Sequence, residues 1–201
     1  MDLYEKEIKQ LLDRKLIRES DSPWNCYGFC VNKRFEQIRG IPRFVINYRP
    51  LNTPLEDNTY PIPHKGDLLS RIVGAKVFSK FDLRSGFWQV AIAKKDKFKT
   101  AFNVPAGHYE WNIMSFGLKH APSKFQKFMD SIFKPYFDLL LVYIHAILIF
   151  SKNIHDHFKH VKIFLQVIKR NGLVLSKTSI ELFQTSIKFL GHTIQNGQIS
   201  L

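Results

Sequence analysis

Apolar residues recur along this chain at two spacings, one helical and one strand-like. Leu3, Ile8, Leu11, Leu12 and Leu16 fall on one face of an opening amphipathic helix. Val31, and then Phe44, Val45 and Ile46, predict strands. Asn47 to Pro63 is rich in Pro, Asn and Thr and is expected to be a long connection. Asp67 to Ile72 predicts a short helix, and Val77, Phe78 and Phe81 predict a strand running into Asp82. Ala101 to Val104 and His108 to Ile113 flank Pro105-Ala106-Gly107, a hairpin pattern. Phe125, Phe128, Met129, Ile132 and Phe133 line one side of a helix expected from Ala121 to Phe133. Leu139 to Phe150 is an apolar, β-branched run interrupted by His145-Ala146, which predicts two buried strands around a tight turn there. Asp156 to Lys169 predicts a second long helix with Gly172 as its C-terminal cap. Short strands are expected at Glu181 to Phe183, Ile187 to Leu190 and Thr193 to Gln195. Strands mixed with helices without regular βαβ alternation point to an α+β fold, an antiparallel sheet with helices on one face.

Composition narrows the function classes. A chain of 201 residues fits one domain or two closely packed lobes, and 45% hydrophobic residues suffice for a real core. The balance of 30 Lys+Arg against 17 Asp+Glu gives a net charge of +13. A basic domain of this kind meets a polyanion: nucleic acid first, an anionic membrane surface second. No apolar run reaches the roughly 20 residues of a spanning helix. The longest candidate, Phe137 to Phe150, carries Asp138 and His145. Met1 to Ser20 is charged and lacks an apolar signal-peptide core, so an intracellular, unsecreted protein is expected, without a membrane partner. Cys26 and Cys30 are too few for a disulfide framework or a zinc site and read as two reduced thiols.

Four stretches, in order, resemble the reverse transcriptases of gypsy-type LTR retrotransposons and caulimovirus-type plant pararetroviruses. They are Pro42-Arg43-Phe44-Val45-Ile46-Asn47-Tyr48-Arg49-Pro50-Leu51-Asn52, then Phe78-Ser79-Lys80-Phe81-Asp82-Leu83-Arg84-Ser85-Gly86-Phe87-Trp88-Gln89. Next come Phe116-Gly117-Leu118-Lys119-His120-Ala121-Pro122-Ser123-Lys124-Phe125-Gln126 and Phe189-Leu190-Gly191-His192. Tyr60-Pro61-Ile62-Pro63 is also family-like. The resemblance covers nearly the whole chain. It implies the fingers and palm of a right-hand polymerase, with fingers roughly 1–70 and palm roughly 71–201. A thumb and a ribonuclease H domain are expected in a full-length relative and absent from this stretch.

Nucleotide addition is an in-line phosphoryl transfer in which the protein supplies positioning and charge neutralisation. Two Mg²⁺ ions about 4 Å apart serve the primer hydroxyl and the leaving pyrophosphate. Magnesium takes hard oxygen ligands, so carboxylates must converge from neighbouring strand ends. In the family one comes from the strand corresponding to Lys76–Asp82, and two adjacent aspartates come from a turn written Tyr-x-Asp-Asp. Asp82 matches the first position; taken alone, it reads better as a turn or helix-capping residue, and the resemblance is what makes it a metal-ligand position. At the second position this chain reads Tyr143-Ile144-His145-Ala146. Alanine offers no ligand, and imidazole suits Zn²⁺ or Cu²⁺ better than Mg²⁺. Asp138 is no substitute, because it lies roughly 23 Å from His145 along an extended strand. Asp156 lies beyond the hairpin. A copy defective in polymerisation is therefore expected.

The resemblance assigns further roles. Arg43 matches the fingers arginine that contacts the incoming deoxynucleotide triphosphate, a role suited to a forked, always-charged group. As an isolated residue it reads equally as a surface arginine. Phe87 matches the bulky residue that excludes a 2′-hydroxyl, and also fits core packing. Lys177 matches, more loosely, a palm lysine near the triphosphate. Leu190 and Gly191 match the hairpin that grips the primer end, and Phe116 and Gly117 belong to a primer–template segment. Met114-Ser115-Phe116-Gly117 departs from the family's Met-Pro-Phe-Gly. His155, His157 and His160 read as solvated helix histidines rather than zinc ligands. Lys94, Lys95, Lys97 and Lys99 form a basic cluster suited to template phosphates. Trp88 and Trp111 fit a buried core better than base stacking.

Three functions compete. One is a reverse transcriptase domain by descent, crippled at its metal site, whose relatives use an RNA template and a DNA primer. The second is a module that holds an RNA–DNA hybrid or single strands without chemistry. The third is a non-functional fragment of a retroelement polyprotein.

Overall fold

The computed structural model describes residues 3–31, 43–56, 60–195 and 197–200, with the side chains of Leu3 and Arg43 outside that description. In chain order the elements are α1 (Leu3–Asp13), β1 (Ile17–Glu19), β2 (Cys26–Val31), β3 (Arg43–Asn47), α2 (Arg49–Asn52), α3 (Lys65–Ser70), β4 (Val77–Asp82), β5 (Phe102–Val104) and β6 (Gly107–Trp111). They continue as α4 (Ala121–Phe133), β7 (Leu140–Tyr143), β8 (Ala146–Ser151), α5 (Ile154–Arg170), β9 (Glu181–Gln184), β10 (Ser186–Phe189), β11 (His192–Gln195) and β12 (Gln198–Ser200). Short 3-10 turns at Gly86–Gln89, Lys94–Thr100, Lys134–Tyr136 and Lys177–Ser179 link them.

The chain divides into two compact units, each built from two segments: Met1–Asp57 with Phe87–Ala121, and Asn58–Gly86 with Pro122–Leu201. The first unit holds a five-stranded sheet in the order β1-β6-β5-β2-β3, in which only β2 and β5 run parallel. Ile8 and Leu11 of α1 pack with Ile17, Cys26, Tyr48, Leu51, Phe102 and Trp111 in its core. Two polar groups that enter this unit's interior find partners there. The Tyr48 hydroxyl donates to the Thr100 carbonyl at 3.0 Å. The buried Glu110 carboxylate accepts from Arg18 Nε and Ser20 Oγ, both at 2.7 Å. Burial pushes the Cys26 thiol up, which suits a packed thiol rather than a reactive one.

The second unit holds an antiparallel four-stranded sheet, β7-β8-β4-β9, and an antiparallel three-stranded sheet, β10-β11-β12. Residues of β4 alternate between the two faces of its sheet. Val77, Ser79 and Phe81 face the long helix α5, where the Phe81 and Phe164 rings are 4.7 Å apart. Phe78 faces the other way, into a cluster with Leu68, Leu69 and Ile72 around α3 and Ile187, Phe189 and Ile194 of the three-stranded sheet.

Most of the predicted elements form, with several differences. The connection from Asn47 contains α2, with Pro50 in its first turn, where a missing N–H costs nothing. Strands β1 and β12 were not anticipated, and α1 ends at Asp13, short of Leu16, which the apolar spacing places on its face. The tight turn expected at His145-Ala146 lies one residue earlier, at Ile144-His145, because Tyr143 pairs with Ala146 and closes the ladder. Finally, His157 is fully buried instead of solvated. Its ring lies between Ser79 Oγ at 2.7 Å and Ser151 Oγ at 2.8 Å, so two strand hydroxyls satisfy both nitrogens.

Candidate active site and nucleic-acid surface

Asp82 ends the central strand of the four-stranded sheet, flanked by backbone on both sides. On one side it pairs with Ala146 at the start of β8. On the other, its carbonyl accepts from the Ser176 N–H at 2.8 Å. The Leu83 N–H donates to the His145 carbonyl at 3.0 Å, so Leu83 and His145 form a hydrogen-bonded pair. Antiparallel pairs alternate in type, which makes Asp82 and Ala146 a close, non-hydrogen-bonded pair on the same face. Their Cβ atoms are then about 4.5–5.5 Å apart. A carboxylate at position 146 would stand beside Asp82; the methyl group of Ala146 gives no donor.

His145 occupies the exposed turn. Its Cβ lies 3.0 Å from the place a Cβ on Gly86 would take, so Gly86 lets the chain after Asp82 pass under the turn. Ile144, the first turn residue, has φ +55°, an unfavourable region for a β-branched side chain. Its N–H donates to Gln126 Oε1 at 2.7 Å. Gln126 is fully buried on α4 and donates from Nε2 to Asp130 Oδ1 at 2.8 Å. The other oxygen of Asp130 accepts from the Tyr60 hydroxyl at 2.5 Å. Sequence reading missed this chain of three residues. Its signal was present: Gln126 and Asp130 stand four apart on a helix, a spacing at which side chains meet.

The donor set does not fit two hard cations. It offers one carboxylate at Asp82, a methyl at Ala146 and an imidazole at His145. Among the described residues no group of three or more His, Cys, Asp or Glu side chains gathers to hold a metal ion. No chemical step through magnesium follows from these residues.

Other predicted positions fall as follows. Lys177 is exposed and opens a 3-10 turn directly after Ser176, so the chain brings it next to the Asp82 backbone. Leu190 and Gly191 form the two-residue turn between β10 and β11, with φ +52° and +87°. Positive φ at both central residues is the pattern of a type I′ hairpin.

In the first unit, Arg43 opens β3 opposite Val31, and its side chain lies outside the described residues. Phe87 is half-buried and meets Phe116 edge-on at 5.3 Å. Phe116 is exposed, and Gly117 has φ +89°. Asn52 holds this turn with both ends of its amide, donating to the Gly117 carbonyl at 2.7 Å and accepting from the Lys119 N–H at 2.9 Å. Of the lysine cluster, Lys97 donates to Asn112 at 2.9 Å and Lys99 pairs with Asp96 at 2.6 Å, while Lys94 and Lys95 are exposed. Trp111 is buried, as expected, with its ring 6.1 Å from Trp88. Tyr27 and Phe29, alternate residues of β2, are both exposed and share one sheet face. No helix among the described residues is long and apolar enough to cross a membrane.

Residues 31–194 match the family model described as reverse transcriptase (RNA-dependent DNA polymerase). The chain is 48% identical over 195 residues to the genome polyprotein of Petunia vein clearing virus (isolate Shepherd), covering 97% of this chain and 9% of the polyprotein. It is 45% identical over 194 residues to the enzymatic polyprotein of Cauliflower mosaic virus (strain Strasbourg), covering 96% of this chain and 29% of that one. It thus spans a minor part of the curated relatives it matches. Among solved structures, a foamy viral protease-reverse transcriptase in complex with double-stranded DNA superposes with TM-score 0.86 at 24% identity, over 98% of this chain and 34% of the other. The same viral protein in complex with an RNA/DNA hybrid gives TM-score 0.86 at 23% identity, over 98% and 26%. Likeness at that identity is one of fold.

Proposed function

Since this chain belongs to the reverse transcriptase family, we propose that it is a reverse transcriptase scaffold that meets nucleic acid and does not extend a primer by the family's two-metal reaction. The observation that carries this reading is the pairing of Asp82 with Ala146. The strand end that would offer a second carboxylate to a shared cation offers a methyl group, and the preceding position offers imidazole. Replacing hard oxygen ligands in this way removes the charge neutralisation on which phosphoryl transfer depends.

In this reading the first unit corresponds to the fingers and the second to the palm, which replaces the single boundary near residue 70 with fingers at 1–57 and 87–121 and palm at 58–86 and 122–201. Arg43 and Lys177 serve the triphosphate, and Phe87 selects the deoxyribose. Leu190-Gly191 and Phe116-Gly117 meet primer and template. The ligand is an RNA–DNA hybrid or its single strands, favoured by the net charge of +13.

Primer extension on an RNA template, with Mg²⁺ and with Mn²⁺, tests the proposal. No product is expected from the purified chain. Extension that disappears in Asp82→Ala would refute it.

A second reading, a nucleic-acid-binding module retained without chemistry, draws on the exposed Tyr27 and Phe29 pair, which offers a stacking platform. It predicts tighter binding to a hybrid or single strand than to heparin at equal salt. Equal binding to all three would remove this reading.

A further inference from the structure

We propose that Gln126, braced by Asp130 and Tyr60, is the positioning residue of the Ile144–His145 turn. This deepens the reading above and rests on it in one respect, that the turn is where the family's carboxylates stand.

The turn does not hold itself. Ile144 sits at φ +55°, which a β-branched residue adopts only when its surroundings impose it. Its N–H points away from the hairpin ladder, which Tyr143 and Ala146 close. The acceptor comes from another element, Gln126 Oε1 on α4, at 2.7 Å. A side-chain amide accepts at one end and donates at the other, so its usefulness depends on which end faces the turn. Asp130 decides this. A carboxylate accepts only, so the Gln126 end beside it, 2.8 Å away, must be Nε2, and Oε1 must face Ile144. Tyr60 fixes the carboxylate in turn by donating to its second oxygen at 2.5 Å. That hydrogen bond pushes the Tyr60 hydroxyl up to about 12, so it keeps its proton at neutral pH. The segment before α3, helix α4 and the β7–β8 hairpin are thereby joined through one buried amide. None of the three residues contributes a ligand. Together they set where positions 145 and 146 lie relative to Asp82.

The test has two arms. The first follows amide hydrogen exchange by NMR in this chain. Gln126→Leu is expected to speed exchange at Ile144 by about tenfold or more, with Leu148 and Ile149 in β8 unchanged, because one half-buried N–H has lost its acceptor. Gln126→Glu alone keeps an acceptor but sets a carboxylate against that of Asp130, and the repulsion is expected to pull it off the turn and speed exchange as well. Adding Asp130→Asn to Gln126→Glu reverses the polarity of the pair. The new amide at position 130 donates to the new carboxylate at position 126, which accepts from the Ile144 N–H, and exchange slows again towards the original rate, the weak Nε2 bond to the Val142 carbonyl at 3.4 Å being the one contact not restored. Uniform acceleration across β7 and β8, or no rescue by the pair, would overturn the proposal in favour of general packing.

The second arm restores the carboxylates with His145→Asp and Ala146→Asp and measures Mn²⁺ alone by water-proton relaxation. Binding is expected, and adding Gln126→Leu weakens it by about tenfold, the usual size of an outer-shell effect. Binding that is insensitive to Gln126→Leu overturns the positioning role. No Mn²⁺ binding in the restored chain counts against the turn as a cation site, and the exchange arm then decides the positioning role by itself.

Discussion

Nε2 of His157 lies 2.7 Å from the Ser79 hydroxyl oxygen, and neither residue is exposed to solvent. The hydroxyl oxygen of Ser79 also accepts from the Phe183 N–H at 3.0 Å, so the pair joins α5, β4 and β9. Ser151 at the end of β8 closes the set, with its hydroxyl oxygen 2.8 Å from both His157 Nδ1 and His160 Nδ1.

Acid should loosen this packing. Burial, and secondarily the neighbouring His160, push His157 down to about 4 from an ordinary value of 6.5. Between those values the unfolded chain binds more protons, so stability rises with pH across that window. The contribution is complete above about pH 6.5 and is lost as pH falls towards 4, a change on the order of 3 kcal/mol at about 1.4 kcal/mol per pKa unit. Urea denaturation from pH 7 to 4 checks this. His157→Gln, which cannot titrate, should flatten the dependence.

Gly191 should be intolerant for backbone reasons alone. Its φ is +87°, and a Cβ there would meet nothing within 4 Å. Gly191→Val is expected to cost about 1–3 kcal/mol and Gly191→Asn clearly less, since asparagine visits the left-handed region more easily. Denaturant midpoints measure the difference; equal costs would point to packing.

At Gly28 the constraint is space. A Cβ would stand 2.8 Å from Phe44 Cζ and 2.8 Å from Val104 Cγ1. Gly28→Ala should destabilise by about 1–3 kcal/mol through overpacking. Val104→Ala in the same chain should recover part of that loss, readable as a less-than-additive double mutant in thermal unfolding.

Asn52 should matter to nucleic-acid binding without touching the ligand. Asn52→Leu removes both hydrogen bonds to the exposed Gly117–Lys119 turn, at a net cost of about 0.5–1.5 kcal/mol each, since water can reach the groups released. If Phe116 and Gly117 meet primer–template, affinity for an RNA–DNA hybrid falls at constant salt while the salt dependence stays unchanged, because no phosphate contact is lost. Fluorescence anisotropy at several salt concentrations separates the two quantities.

Sequence by itself determined much of this protein. Helical and strand spacings located α1, α4, α5 and the strands on either side of Asp82, because those patterns depend on neighbours a few residues away. Set against the pattern of the reverse transcriptases it resembles, the sequence implies that Asp82 keeps one carboxylate position and that His145 and Ala146 stand at the other two. What only the tertiary structure decided concerns residues far apart in the chain. The segment Phe87–Ala121 joins the first unit after the chain has already entered the second. The turn closes at Ile144-His145 because Tyr143 finds Ala146 across the ladder. His157 is buried because two serines from separate strands satisfy its ring. Gln126 reads as one polar residue on an amphipathic helix until the fold sets Asp130 beside its amide nitrogen and Ile144 beside its oxygen. Local periodicity fixes which face a residue occupies; which partner stands opposite depends on long-range packing, where a buried polar group must find a hydrogen bond or lose stability.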